Sequence, residues 1–186
     1  MKTIISYAEV ELHCLTIAKQ MSRDKWVPDY IVGITRGGLL PAVLLSNWFD
    51  CKMYTLDVRL RDGKGDDCES NLWMPEDAIG YVPVEDRGES GTTIDPAYRK
   101  NILIVDDIND TGATLNWIKH DWQTSCMPNN SAWDKVWGNN VKVATLFDRG
   151  LASNSEMPHQ YTGVLVTQDN DPGWIVFPWG NWCGDE

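Results

Sequence analysis

Residues 101–114 read Asn-Ile-Leu-Ile-Val-Asp-Asp-Ile-Asn-Asp-Thr-Gly-Ala-Thr, and they combine a strand pattern, an acidic tip and a helix start. The run Ile102–Val105 is rich in β-branched residues and predicts a buried strand. The carboxylates of Asp106 and Asp107 follow it, and the small-residue loop Thr111–Thr114 opens a helix. Loop amides and threonine hydroxyls at the positive end of a helix suit a phosphate. Because the carboxylates suit sugar hydroxyls or a cation, the stretch predicts a site for a phosphorylated sugar.

The same residues admit two other interpretations. Asp-Asp-x-x-Asp also occurs as a metal motif of terpenoid synthases, where it lies on a helix of a much larger helical protein. Here a β-branched run precedes the motif and Thr-Gly follows it, which is typical of a strand that ends in a loop. The other interpretation is a buried strand that ends in a solvated acidic turn, with a threonine as the N-cap of the next helix.

A second glycine-containing loop favours the ligand site over these alternatives. The run Ile-Thr-Arg-Gly-Gly at 34–38 directly follows a predicted strand and precedes a predicted helix. Two glycines let backbone amides approach an anion, the helix adds its dipole, and Arg36 offers a fork for phosphate oxygens. Taken alone, Arg-Gly-Gly could also be a tight turn with a solvated arginine. Both loops follow predicted parallel strands, so we expect two neighbouring anion sites at one sheet edge.

The order of the predicted elements indicates an α/β fold. A capping box at Ser6–Glu9 begins an amphipathic helix that ends near 22–25. Strand–helix–strand units with right-handed crossovers follow, so we predict one domain with a mostly parallel central sheet flanked by helices. The later predicted elements are strands 30–34, 51–57, 101–107, 141–147 and 161–167, and helices 39–49 and 112–124.

Two segments interrupt this alternation. Val58–Lys100 is rich in charge and glycine and lacks a clear period, which indicates a functional loop or a small subdomain. Ser125–Asn140 is rich in asparagine and contains Trp133 and Trp137, whose spacing places both indoles on one side of a helical turn. These two rings either cover the core or mark a subunit contact.

The composition limits the classes of function. The chain has 186 residues, 42% of them hydrophobic, and its net charge of −11 makes it a poor candidate for binding a nucleic-acid backbone. No apolar run approaches the roughly 20 residues that span a bilayer, and the N-terminal apolar stretch is too short for a signal peptide. Five scattered cysteines without a C-x-x-C pair indicate reduced thiols. We therefore expect a cytoplasmic protein that binds neither nucleic acid nor membrane.

Residues 101–114 resemble the phosphoribosyl pyrophosphate signature of the type I phosphoribosyltransferases: apolar strand, Asp-Asp, two residues, Asp-Thr-Gly, one residue, Thr. Residues 34–38 are similar to the pyrophosphate loop of the same family. The resemblance implies a core at about 28–57 and 100–167, a flexible loop at about 58–100 and a base-binding hood at about 168–186. It also implies a cis peptide bond between Thr35 and Arg36.

The resemblance assigns roles to individual residues. Asp110 would be the catalytic residue, accepting a proton from N7 of the base, and Asp106 and Asp107 would hold the ribose hydroxyls and Mg²⁺, through water. The expected ligands of phosphoribosyl pyrophosphate are Arg36, Gly37, Gly38, Asp106, Asp107, Asp110, Thr111, Gly112, Ala113 and Thr114.

The C-terminal third resembles the 6-oxopurine branch of the family, which includes the xanthine–guanine and hypoxanthine enzymes. Trp174 would stack on the purine, Ile175 would contact its edge through the backbone, and Arg149 stands where the family has a lysine that donates to the 6-oxo oxygen. Gly180 is a second departure, since bacterial xanthine–guanine enzymes have an acidic residue there.

The resemblance thus implies an Mg²⁺-dependent purine-salvage enzyme that transfers phosphoribosyl from phosphoribosyl pyrophosphate to a purine, and a homodimer or higher homo-oligomer. Two alternatives stay open. The chain could use another acceptor, such as a pyrimidine or adenine, because Arg149, Gly180 and the 58–100 loop depart from the base-site pattern. It could also be a regulator that binds phosphoribosyl pyrophosphate without catalysis. Such proteins usually carry an extra DNA- or RNA-binding part, and this sequence shows no basic patch.

Overall fold

The computed structural model describes residues 2–60, 68–83, 93–150, 155–158 and 160–180. Its centre is a five-stranded sheet with the order β3-β2-β6-β7-β8, in which all neighbouring strands are parallel. This is the mostly parallel α/β sheet that the sequence predicts. Its strands are β2 (Tyr30–Thr35), β3 (Lys52–Asp57), β6 (Ile102–Asn109), β7 (Val141–Asp148) and β8 (Gln160–Leu165).

Helices cover both faces of the sheet. The predicted capping box is confirmed, since Ser6 Oγ accepts from the Glu9 amide and the Glu9 carboxylate accepts from the Ser6 amide. Apolar side chains of alternating direction on β6 pack into two cores, one on each face: Ile104 lies with α3 and α4, and Leu103 with α1 and α2. The helices are α1 (Tyr7–Arg23), α2 (Leu39–Phe49), α3 (Trp73–Ile79) and α4 (Ala113–Ser125). None of the described helices is both long and apolar enough to cross a bilayer.

The segment 58–100 contains regular structure that its sequence does not reveal. Helix α3 buries Met74 and Ile79 against the core, and the short strands β4 (Tyr81–Val82) and β5 (Thr93–Ile94) pair antiparallel. A seven-residue helix with a proline near its start is too short to show a helical period, which explains why the pattern was not visible. Residues 61–67 and 84–92 lie outside the described part, so the prediction of a flexible active-site loop stays a prediction.

The tryptophans of segment 125–140 belong to the core. Trp133 lies in a 3₁₀ helix, Ser131–Lys135, and its ring stacks on that of Trp137, with centroids 5.7 Å apart and planes 16° apart. Both side chains are buried, and Trp133 Nε1 donates to the Cys126 carbonyl at 3.0 Å. Of the two interpretations, core packing is therefore confirmed for these two rings, and a subunit contact is not.

A separate two-stranded sheet joins the N-terminal strand to the C-terminal region. Strand β1 (Lys2–Ile4) pairs parallel with β9 (Trp174–Val176). Next to it, the Thr3 hydroxyl donates to the Pro172 carbonyl at 2.6 Å and the Ile5 amide donates to the Val176 carbonyl at 2.9 Å. The chain start therefore fixes the segment in which the base-binding residues are predicted.

Candidate active site

The two glycine-containing loops lie at one edge of the sheet. Strands β2 and β6 are direct neighbours, with Gly33 opposite Val105, and both loops begin shortly after these residues. Since the carboxyl ends of parallel strands form the ligand crevice of open α/β sheets, the fold brings together the predicted phosphate and ribose residues.

The loop after β2 is held by its neighbours while Arg36 is left exposed. The peptide bond between Thr35 and Arg36 is cis, as predicted. The Gly38 amide donates to the Ile34 carbonyl at 2.9 Å, and the Thr35 hydroxyl donates to the Asp57 carboxylate at 2.7 Å. These bonds fix the loop to β2 and β3, so that the Arg36 guanidinium extends from a fixed base.

Both glycines of this loop lie in close contact with β6. A Cβ atom on Gly37 would overlap the carboxylate of Asp107, and one on Gly38 would overlap the carbonyl oxygen of Val105. The loop therefore lies against β6 with no room for a side chain. This contact places the predicted pyrophosphate loop directly beside the predicted ribose carboxylates.

Asp106 and Asp107 form an electrostatically costly pair. Burial and the neighbouring Asp107 charge raise the pKa of the Asp106 carboxyl well above its ordinary value. Burial also raises the pKa of the Asp107 carboxyl, opposed by a hydrogen bond that the Trp179 indole donates to it. Trp179 is itself held by its stacking on Phe177, with centroids 4.9 Å apart. The pair is thus suited to a bound cation or to hydroxyl donors.

The predicted 5′-phosphate loop lies at the start of α4. Strand β6 runs two residues further than the pattern predicts, to Asn109, and the chain then turns through Gly112 at a φ of 81°. The Thr111 hydroxyl accepts weakly from the Ala113 amide at 3.4 Å. The first amides of a helix lack intrahelical partners, and the first turn of α4 contains no acidic side chain, so the loop is open to an anion.

The extension of β6 has a cause in its neighbour β7. Asn109 is buried, and its amide donates to the Asp148 carboxylate at 2.9 Å. The Arg149 amide donates back to the Asn109 carbonyl at 3.0 Å. These two bonds join the end of β6, just before Asp110, to the end of β7, just before Arg149.

Arg149 and Asp110 are in contact. Arg149 Nε lies 2.7 Å from Asp110 Oδ1, which is an ion pair by distance, although the N–H is not aligned for a hydrogen bond. Its Nη1 lies 3.1 Å from both carboxylate oxygens of Asp171, and its Nη2 donates to the Gly173 carbonyl at 2.9 Å. The guanidinium thus joins the α4 loop to the turn just before Trp174. Trp174 itself is 71% exposed at the start of β9, and Ile175 is half-buried behind it.

A phosphoribosyl transferase domain model matches residues 3–181, nearly the whole chain. The chain belongs to the phosphoribosyltransferase family. Xanthine phosphoribosyltransferase 1 of Saccharomyces cerevisiae is 22% identical over 189 residues, covering 94% of this chain and 88% of the relative.

Solved structures that share the fold include the following two. The purine phosphoribosyltransferase of Pyrococcus horikoshii has a TM-score of 0.58 at 24% identity, with 100% of this chain and 98% of that chain covered. The xanthine-guanine-hypoxanthine phosphoribosyltransferase of Helicobacter pylori has a TM-score of 0.58 at 20% identity, with 97% and 94% covered.

The structure adds contacts of this phosphoribosyltransferase that the sequence pattern did not reveal. The Trp179 indole lowers the burial-raised pKa of Asp107, Asp171 holds Arg149, and Asn109 donates to Asp148. Each contact joins residues from different elements, so no local spacing could have signalled it.

Gly180 is not required by crowding, unlike the glycines of the pyrophosphate loop. A Cβ atom there would lie 3.3 Å from the Phe177 carbonyl oxygen, which a small shift would relieve. The indole of Trp179, beside Gly180, acts on the Asp107 carboxyl and lowers its pKa, which burial raises.

Proposed function

We propose that this phosphoribosyltransferase transfers the 5-phosphoribosyl group from phosphoribosyl pyrophosphate to a 6-oxopurine in purine salvage. The products are the nucleoside monophosphate and pyrophosphate. The observation that carries the acceptor assignment is the contact between Asp110 and Arg149, 2.7 Å apart beside the turn that leads to Trp174. It presents a hydrogen-bond acceptor and a donor side by side.

Phosphoribosyl pyrophosphate fits the two loops from end to end. The pyrophosphate lies at Arg36 and the amides of Gly37 and Gly38, and the 5′-phosphate lies at 111–114, at the positive end of α4. The ribose hydroxyls between them face Asp106 and Asp107. The contact between Gly37 and Asp107 supports this arrangement because it sets the two groups against each other.

The donor set fits Mg²⁺. Asp106 and Asp107 supply carboxylate oxygens, and Mg²⁺ is usually bound by one or two carboxylates together with water and substrate phosphates. Among the described residues no group of three or more His, Cys, Asp or Glu side chains could hold a metal by itself. When bound, Mg²⁺ would neutralise charge on the pyrophosphate leaving group.

The reaction breaks the bond between ribose C1 and the pyrophosphate oxygen and forms a bond from C1 to a purine ring nitrogen. Positive charge builds on C1 and the ring oxygen, and the carboxylates near the ribose stabilise it. Arg36 and the loop amides stabilise the departing pyrophosphate. Asp110 accepts the proton that leaves N7 of the purine, a role worth about 10²–10⁴ in rate.

The acceptor–donor pair discriminates between purines. In a 6-oxopurine, N7–H faces Asp110 while the 6-oxo oxygen faces an N–H of Arg149. Adenine would turn its amino group toward the Arg149 donors, leaving them unpaired. Trp174, exposed at the start of β9, supplies a ring on which the purine stacks.

The test is pyrophosphate release from phosphoribosyl pyrophosphate and Mg²⁺, with xanthine, guanine, hypoxanthine, adenine, uracil and orotate offered separately. We expect release with one or more of the three 6-oxopurines, and kcat/KM at least about a hundredfold lower for adenine. Preferred use of adenine or a pyrimidine would favour the alternative acceptor. Tight binding of phosphoribosyl pyrophosphate without release for any base would favour a non-catalytic regulator. Omitting Mg²⁺ should abolish release.

We further propose a cytoplasmic homodimer. Cys14, Cys51, Cys68 and Cys126 are free thiols, which supports a reducing compartment. Trp48 is exposed beside a groove between α1 and α2 that is lined largely by apolar side chains, among them Leu15 and Leu44. An exposed apolar groove of this kind supports association with a second copy of the chain.

A further inference from the structure

The turn before Trp174 is organised by one carboxylate, that of Asp171. Its Oδ1 accepts from the Gly173 amide at 2.8 Å, and Gly173 has a φ of 70°. Both oxygens also lie 3.1 Å from Arg149 Nη1. Asp171 therefore shapes the turn and binds the guanidinium at the same time. Its pKa is lowered, first by the Gly173 amide and then by Arg149, so the carboxylate is ionised when it makes these contacts.

Arg149 is shared between two carboxylates. Its side chain is 21% exposed, and it lies between Asp110 on one side and Asp171 on the other. A guanidinium can bind a carboxylate through two parallel N–H groups. Here only Nε approaches Asp110, because Nη1 and Nη2 are held by Asp171 and the Gly173 carbonyl. Nη2 lies on the same edge of the guanidinium as Nε, so without the Asp171 contact to Nη1 the fork would be held by the Gly173 carbonyl alone and would be freer to turn Nη2 onto Asp110.

We propose that Asp171 is a positioning residue that determines base selectivity by acting through Arg149. It prevents Arg149 from closing a two-bond pair with Asp110, so that the Asp110 carboxylate stays available to the base and Arg149 keeps its donor in register with the 6-oxo oxygen. It also fixes the Arg149 plane relative to the turn that carries Trp174. This inference rests on the proposed transfer to a 6-oxopurine.

The variant Asp171→Asn isolates the charged contact. Asparagine keeps the oxygen that accepts from the Gly173 amide but loses the charge that holds Arg149. We expect KM for the base to rise about three- to tenfold, a modest change because the carboxylate is 46% exposed. The preference for a 6-oxopurine over adenine should fall by a similar factor, while KM for phosphoribosyl pyrophosphate stays within about twofold.

Two controls separate positioning from general damage. Asp169→Asn removes the same charge from an exposed neighbour in the same turn and should leave both KM values unchanged. A double-mutant cycle with Arg149→Lys tests whether Asp171 acts through Arg149. If it does, Asp171→Asn should have little further effect on KM for the base once Arg149 is lysine. Additive effects would assign Asp171 a purely structural role and overturn the inference.

The outcomes also separate this inference from the proposed function. An active wild-type enzyme whose Asp171→Asn variant matches Asp169→Asn in base KM and selectivity would overturn the role of Asp171 alone. A wild-type protein that releases no pyrophosphate with any base would overturn the proposed function first, and the inference with it.

Discussion

The adjacent carboxylates Asp106 and Asp107 impose an electrostatic cost that a bound ligand can relieve. Their pKa values are raised in the folded protein because burial and the neighbouring charge disfavour the ionised forms. In the unfolded chain both groups ionise at lower pH. Below the pKa of the unfolded chain both carboxyls are protonated in both states, and the pair does not destabilise the folded protein. As the pH rises through the raised pKa of the folded protein, stability is lost, because the unfolded chain has already ionised.

The variant Asp106→Asn should be more stable and inactive. We expect its melting temperature at neutral pH, in buffer without divalent metal, to exceed that of the wild type by about 2–4 °C, the shift that about 1 kcal/mol gives in a domain of this size. The difference should shrink at acidic pH, where both wild-type carboxyls are protonated. Calorimetry measures the melting temperatures of the wild type and the variant at neutral and at acidic pH. The charge-matched control is Asp134→Asn, at an exposed position of the 3₁₀ helix. A lower melting temperature for Asp106→Asn at neutral pH would contradict this account.

In the proposed mechanism Asp110 accepts the proton from the purine, so its replacement should separate chemistry from binding. Asp110→Asn keeps the size of the side chain and removes the basic oxygen. We expect kcat to fall by about 10²–10⁴ while KM for phosphoribosyl pyrophosphate changes little. Steady-state kinetics with the preferred purine tests this, and an unchanged kcat would rule out the role.

Single residues also mark the limit of prediction from sequence. The roles proposed for Asp106, Asp107 and Asp110 rest on a family signature whose strand, loop and helix start are contiguous in the chain. The contact between Trp179 and Asp107 joins residues more than 70 positions apart, and only the three-dimensional packing brings them together.

At the scale of elements, the loop between β2 and α2 depends on its two glycines. Gly37→Ala would place a methyl group on the Asp107 carboxylate, so either the loop or that carboxylate must move. We expect KM for phosphoribosyl pyrophosphate to rise at least about tenfold, equal to about 1.4 kcal/mol.

Asn47→Ala, on the exposed side of α2, is the control for Gly37→Ala and should behave as wild type. Circular dichroism of both variants would show whether the fold is retained. A Gly37→Ala variant that is folded and has an unchanged KM would contradict the proposed placement of the pyrophosphate.

Elements were predictable where the pattern was long and were missed where it was short. The capping box of α1 and the β-branched run of β6 predict the bounds of these two elements to within two residues. The pairing of β1 with β9 was not predictable, because each strand has three residues and the two lie at opposite ends of the chain. The seven residues of α3 similarly show no period.

At the scale of the whole molecule, the apolar groove between α1 and α2 is the surface on which a second copy should bind. Trp48 is 55% exposed and lines this groove of about 210 Å³. We expect light scattering to give twice the chain mass of 21.1 kDa for the wild type and the single mass for Trp48→Asp.

Leu72→Asp provides the matched control for Trp48→Asp. Leu72 is equally exposed but lies at the start of α3, on the other face of the sheet, so its replacement should leave the dimer intact. A monomeric wild type at tens of micromolar would contradict the dimer, since stable interfaces bury about 1,200–2,000 Å² and persist at such concentrations.

The most direct test of the central claim is the balance of products. The enzyme is incubated with phosphoribosyl pyrophosphate, Mg²⁺ and the preferred 6-oxopurine, and nucleotide and pyrophosphate are quantified in the same sample. The account predicts one nucleoside 5′-monophosphate for each pyrophosphate, with both absent when the base is omitted. Pyrophosphate released without a nucleotide, or no product from any purine, would contradict it.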